Sequence, residues 1–270
     1  MEEYSIKFSS RGRWLVDLGL AGRVAVVTGS SQGIGKATAL LLGSEGARVA
    51  VTYHRERDRA QAVVGEIGKG GGDAVAVQFD LASPGSVCRA VDAALERWGQ
   101  VDVLVNNAVY WGDRAPWDVP LFEDMAAEEW RAYFRVNFEG AYSAVQAVLP
   151  SMRSRGFGRI VSISSGVAAD GFPGTAPYGA AKAALHGLTK TLSKELAPAG
   201  ILVNVIMPSA TRTERMVARL PAQFLEMSAQ ASPLRRLPGP DEVATAIVNL
   251  CSGANTAITG EIVRVGSGAT

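Results

Sequence analysis

Cysteine is nearly missing from this chain: 270 residues hold two, Cys88 and Cys251. Neither has the spacing of a metal ligand set, so a zinc module and a disulfide framework are both excluded. Each lies in an apolar helical pattern, where a buried free thiol is expected, in keeping with a reducing cytoplasm. Charge of one sign is missing too. The formal net charge is +1, from 27 basic and 26 acidic residues, which leaves no basic field for a nucleic acid or an anionic membrane. No run of 18 apolar residues occurs, so no membrane span is expected. The opening MEEYSIKFSSRGR is acidic first and has no apolar core, so it does not read as a signal peptide. The expectation is a soluble, cytoplasmic protein.

What is abundant is apolar content, 47% of residues, enough to bury a large core. Short β-branched runs recur: RVAVVT (23–28), ARVAVTY (47–53), AVAVQF (74–79), VDVLVN (101–106), GRIVSIS (158–164), ILVNVIM (201–207) and EIVRV (261–265). They lack polar alternation, as parallel strands covered on both faces do. Longer amphipathic stretches separate them, and the βαβ alternation predicts an α/β fold: a doubly wound parallel sheet in three layers. Ser83-Pro84 predicts a capped helix start, while Gly43 and Gly46 predict the end of the first helix and Gly70 to Gly72 that of the second. No linker or repeat divides the chain, so residues 21–270 read as a single domain and residues 1–20 as an N-terminal extension.

Strand 23–28 runs directly into TGSSQGIGKAT. Glycines at 29, 33 and 35 let the backbone turn sharply and approach a pyrophosphate, which the following helix N-terminus would attract. The spacing is G-x-x-x-G-x-G rather than the standard G-x-G-x-x-G. Further on, YGAAK places Tyr178 and Lys182 one turn apart on a helix face, a pair that by itself signifies only packing.

With both motifs present in this order, residues 20–268 resemble the short-chain dehydrogenase/reductase family. The resemblance implies a seven-stranded Rossmann-type sheet binding NAD(P)(H), and a catalytic tetrad of Asn137, Ser165, Tyr178 and Lys182. Tyr178 would be the acid/base. Lys182 would lower its pKa and hydrogen-bond the nicotinamide ribose, Ser165 would bind the substrate oxygen, and the Asn137 carbonyl would hold a water beside Lys182. Cofactor contacts are implied at Gly29, Ser31, Gln32, Gly33, Ile34 and Gly35 of the turn, and at Asp80 and Leu81 after the third strand. Asn107 and Ala108 would line the adenosine side, with Pro208, Thr211 and Thr213 after the sixth strand.

The second strand ends in Tyr53 rather than the acid of NAD enzymes. His54 and Arg55 follow, and arginine suits a 2′-phosphate. NADP(H) is therefore the expected cofactor and NAD(H) the alternative, although Gln32 stands where many NADP relatives carry a basic residue. Val109 and Ser209 replace family glycines near the substrate. Residues 209–232 read as a lid or a plain helix pair. Trp111, Trp117, Phe172, Met216, Phe224 and Met227 are candidates for an apolar pocket.

The leading functional reading is an NADPH-dependent ketoreductase of a hydrophobic ketone, such as a polyketide-type carbonyl. The alternatives are a 3-oxoacyl-carrier-protein reductase, a dehydrogenase of a sugar or secondary alcohol, and a cofactor sensor without turnover. The carrier reading is weakened by Ala199, where such reductases often have arginine, with Arg153 and Arg155 still offering basic surface. The resemblance also implies a homotetramer, or a dimer, built on helices near 127–154 and 177–198 and on the last strand. The ending VRVGSGAT departs from the family pattern.

Overall fold

Seven parallel strands form the centre of the computed structural model, which describes residues 7–8, 14–15, 17–112, 120 and 122–268. They are β1 Val24–Val27, β2 Arg48–Tyr53, β3 Ala74–Gln78, β4 Val103–Asn106, β5 Gly158–Ile163, β6 Ile201–Pro208 and β7 Ile262–Val265. Their spatial order is β3-β2-β1-β4-β5-β6-β7, and every pairing is parallel. The continuous apolar runs follow from this order. All residues of β1, β4, β5 and β6 are buried, whereas those of the edge strands β3 and β7 are only partly so. Within the segment expected as an extension, Lys7–Phe8 pairs antiparallel with Trp14–Leu15.

Strand alternation divides the core between two faces. Ala25 and Val27 join Leu42, Val63 and Ile247 on one side. Val24 and Val26 join Val91, Leu104, Val148 and Met152 on the other. The first layer comes from α1 Gly33–Ser44, α2 Arg57–Lys69 and α10 Pro240–Cys251. The second comes from α3 Pro84–Trp98, α4 Ala127–Phe134, α5 Gly140–Arg155 and α7 Ala176–Leu196, with α6 Val167–Asp170 opening the α7 approach. The order in which strands are added reverses between β1 and β4, so a crevice opens at their C-terminal ends.

Three local expectations change. Gly43 lies inside α1, where a Cβ would come within 2.9 Å of Ile67 on α2; its small size serves helix packing, and Gly46 with φ +82° makes the turn. Ser83 precedes α3, but its side chain makes no capping bond; its carbonyl accepts from the Ser86 and Val87 N–H groups instead. Cys251 is buried, whereas Cys88 is exposed, on the outer side of α3.

Candidate active site

The glycine turn is fastened to three strands. Thr28 Oγ1 accepts from the N–H groups of Asn107 (2.8 Å) and Ala108 (2.9 Å). Asn107 Nδ2 donates back to the carbonyls of Thr28 and Gly29, and the Gly29 N–H donates to Thr52 Oγ1 at 2.8 Å. Space is short at Gly29 and Gly35. A Cβ on Gly29 would lie 2.9 Å from Ala108 Cα, and one on Gly35 would land on Asn107 Nδ2 and Gly29 O. Gly29 and Gly33 also have φ of +64° and +57°, the left-handed region that glycine adopts freely. The first turn of α1 holds no acidic residue, so its N–H groups and dipole favour an anion there. This cradle fits the pyrophosphate of a dinucleotide.

Just beyond β5, Ser165 and Tyr178 are brought together, the serine hydroxyl near enough to favour the phenolate, and both are nearly buried. Ser165 Oγ also accepts from the Val167 N–H at 3.3 Å, which fixes it at the start of α6. One turn along α7, buried Lys182 donates from Nζ to the Ile163 carbonyl at 2.8 Å. Burial pushes the Tyr178 phenol well above its usual range, with the neighbouring Ser165 hydroxyl only partly opposing this. Burial also pulls the Lys182 ammonium down to about 7. The expected lowering of Tyr178 by Lys182 is therefore reversed, because desolvation dominates both groups. Behind them, Ser164 Oγ donates to the Lys182 carbonyl and shares a 2.7 Å hydrogen bond with His186 Nε2.

Asn137 sits in a π-helical segment, Arg135–Glu139, between α4 and α5. Its side chain is occupied: Oδ1 accepts from the Tyr110 N–H (3.1 Å) and Nδ2 donates to the Tyr110 carbonyl (2.9 Å). A water beside Lys182 would thus fall to its main-chain carbonyl. The clamped segment carries Trp111, whose indole stacks on the Tyr178 ring at 4.2 Å and 25°. Tyr133 adds a hydrogen bond from its hydroxyl to the Trp111 carbonyl.

The remaining candidates spread along the crevice. Thr213 faces Gly33, whose added Cβ would lie 3.4 Å from Thr213 Cγ2, and its Oγ1 accepts from the Met216 N–H. Pro208 ends β6, and buried Thr211 donates to the Ser209 carbonyl. Ser31 is nearly buried, and Ile34 packs against the core. Asp80 Oδ1 accepts from the Ala82 N–H, and Oδ2 lies 3.8 Å from His54 Nε2. These two residues line a cavity of about 260 Å³ with Gln78, Ser83, Ser86 and Arg89. Leu81 points inward against Gly140, so only its backbone is left for a ligand. Of the pocket candidates, Trp117 lies outside the described residues. Phe172, Phe224 and Met227 are exposed, and Trp111 alone is brought onto the tetrad. The sequence reading missed Arg59, which donates to Gln32 Oε1 at 2.9 Å. It also missed His186, whose signal was its place one further turn beyond Lys182.

The family model described as short chain dehydrogenase matches residues 23–223. A 3-oxoacyl-[acyl-carrier-protein] reductase of Synechocystis sp. is 40% identical over 92% of this chain and 97% of its own length. The 3-oxoacyl-[acyl-carrier-protein] reductase FabG of Aquifex aeolicus is 37% identical over 94% of this chain and 99% of its own. Among solved structures, a 7α-hydroxysteroid dehydrogenase complexed with NADH and 7-oxo glycochenodeoxycholic acid superposes with a TM-score of 0.87. It is 32% identical and covers 96% of this chain and 98% of that one. The chain belongs to the short-chain dehydrogenase/reductase family. It is an oxidoreductase that acts on carbonyl or alcohol groups with a nicotinamide cofactor.

Proposed function

We propose that the protein is an NADPH-dependent ketoreductase in which Tyr178 is the proton donor. The observation that carries this reading is buried Lys182, held by the Ile163 carbonyl one turn along α7 from buried Tyr178, with Ser165 beside the phenol. The bound dinucleotide supplies the hydride. The chain supplies the rest. Ser165 donates a hydrogen bond to the carbonyl oxygen and stabilises the charge that grows on it. Tyr178 transfers its proton to that oxygen, and its raised pKa keeps it protonated at neutral pH until the oxygen becomes the stronger base. Lys182, brought down to about 7, exchanges a proton readily near neutrality and restores the phenol. The main-chain carbonyl of Asn137, in the π turn, extends that path to solvent.

Gly29, Ser31, Gln32, Gly33, Ile34 and Gly35 hold the pyrophosphate side of the cofactor. Asn107, Ala108 and Asp80 border the adenosine, and Thr211 and Thr213 border the nicotinamide. Residues 209–232 close over the substrate. Their helices α8 Glu214–Arg219 and α9 Ala222–Ala231 bury no residue, while Ser232 Oγ ties their end to the Ser267 carbonyl at 2.8 Å. The exposed aromatics around Trp111 suit a hydrophobic ketone. A tetramer on α4, α5 and α7 would cover Trp130 and Tyr142, both exposed in the isolated chain, and the enzyme would work in the cytoplasm.

A second reading, reduction of 3-oxoacyl thioesters on a carrier protein, is favoured by the names of the 36–40% identical relatives. Against it, Ala199 lacks the arginine that such reductases often have, and Arg155 is turned toward Asp102, leaving Arg153 for docking. An assay of NADPH and NADH oxidation with 3-oxoacyl thioesters, aromatic polyketide-type ketones and ketosugars separates the readings. Turnover of bulky free ketones above thioesters supports the first, and the reverse order overturns it in favour of the second.

A further inference from the structure

We infer that Arg59, on the first turn of α2, is the residue that selects a 2′-phosphorylated dinucleotide; this rests on the NADPH reading above. β2 ends in Tyr53, so the carboxylate that would hold a free ribose 2′-hydroxyl is missing. Neither His54 nor Arg55, which follow it in the chain, makes a hydrogen bond or ion pair to the glycine turn among the described residues. His54 Nε2 lies toward Asp80, 3.8 Å away, with Gln78 donating to the His54 carbonyl. Among the described residues, the Arg55 side chain makes no hydrogen bond or ion pair.

Arg59 does reach the turn. Gln32 is the extended residue before α1, and its side chain makes no capping bond. Its Oε1 accepts from a terminal nitrogen of Arg59 at 2.9 Å. The Arg59 Nε sits 3.6 Å from Glu56 Oε2. The guanidinium is thus held from two sides with its remaining N–H groups unspent, at the lip of the cradle where the adenosine ribose enters. Gln32 occupies the place of a basic residue, and its amide imports one from the neighbouring helix. A phosphate on the ribose would take a charge-assisted, bidentate pair from that guanidinium, which a hydroxyl cannot match. The plain alternative is a surface staple joining α2 to the turn, and a staple would serve both dinucleotides alike.

The test is calorimetric titration of NADPH and NADH into the full-length protein and its Arg59→Ala, Arg55→Ala and Gln32→Glu variants. Arg59→Ala should weaken NADPH by about tenfold while NADH changes less than about twofold. The retained NADH binding shows that the turn still folds. Gln32→Glu sets a carboxylate beside the pyrophosphate and should weaken both dinucleotides, NADPH the more because the new ion pair also holds the guanidinium. Equal losses for both dinucleotides in Arg59→Ala overturn the inference in favour of the staple, and a selective loss confined to Arg55→Ala moves the role to that residue. A wild-type protein that binds NADH as tightly as NADPH sinks the NADPH reading itself, and the inference with it.

Discussion

The two ends of the central strands both bury ionisable groups, and they treat them oppositely. At the foot of the sheet, Asp102 is completely buried and fully partnered. Its Oδ2 accepts from the Val24 N–H (2.9 Å) and Gln100 Nε2 (2.7 Å), and its Oδ1 from Arg23 and Arg155, each at 3.3 Å. Nearby Arg159 donates to the carbonyls of Gly158, Gly200, Ser252 and Asn255, and the Phe157 ring receives the guanidinium groups of Arg23 and Arg159. At the head, Lys182 is nearly as deeply buried, and among the described residues the Ile163 carbonyl is the one hydrogen-bond partner of its ammonium. Compensated burial makes architecture; uncompensated burial shifts proton affinities and makes a reagent.

Breaking the head should cost rate and not fold. Tyr178→Phe should lower carbonyl reduction by about a thousandfold, with cofactor affinity and melting temperature near those of the wild type. Breaking the foot should do the converse. Asp102→Ala strands two arginines, both partly solvated, and should cost about 3 kcal/mol in urea unfolding while kcat of the folded enzyme is unchanged. The comparison sharpens in the pH profile. Because the phenol is raised, it stays protonated through neutral pH, so reduction should fall only where Lys182 loses its proton, at about 7, while oxidation, which needs the phenolate, climbs with pH. The smallest effect belongs to the substrate side. Trp111→Ala removes the ring stacked on Tyr178 and should raise KM about threefold to tenfold for aromatic ketones, with little change for small aliphatic ones.

The same contrast explains what was legible in the sequence. The seven strands show as unbroken Val/Ile/Leu runs because both faces of β1, β4, β5 and β6 are covered, and the resemblance to the family points to Ser165, Tyr178 and Lys182 as candidates. What did not show depends on contacts between elements distant in sequence. The Asn137 amide is spent on Tyr110, a pairing that no local pattern encodes. The helical phase of α2 carries Arg59 back to Gln32, whereas the linear reading favoured Arg55 as nearest to the strand end. Gly43 looks like a stop signal until Ile67 is seen packed against it. Cys88 sits in an apolar stretch, yet the rotation of α3 turns it outward. The direction of the Tyr178 shift could not be read from a nearby lysine, because burial dominates it.

Lys182 itself gives the most direct test of the claim that the head of the sheet sacrifices stability for chemistry. Burial lowers its ammonium from 10.5 to about 7. Between those values the unfolded chain holds the proton and the folded chain does not, so stability rises with pH across that window and the full cost is carried below it. Unfolding free energy should therefore be measured from pH 6 to pH 10.5 for the wild type and Lys182→Met. The account predicts that subtracting the variant curve leaves a slope rising with pH, and that Lys182→Met is inactive yet the more stable protein at pH 6. Parallel curves, or a variant less stable at pH 6, would contradict it.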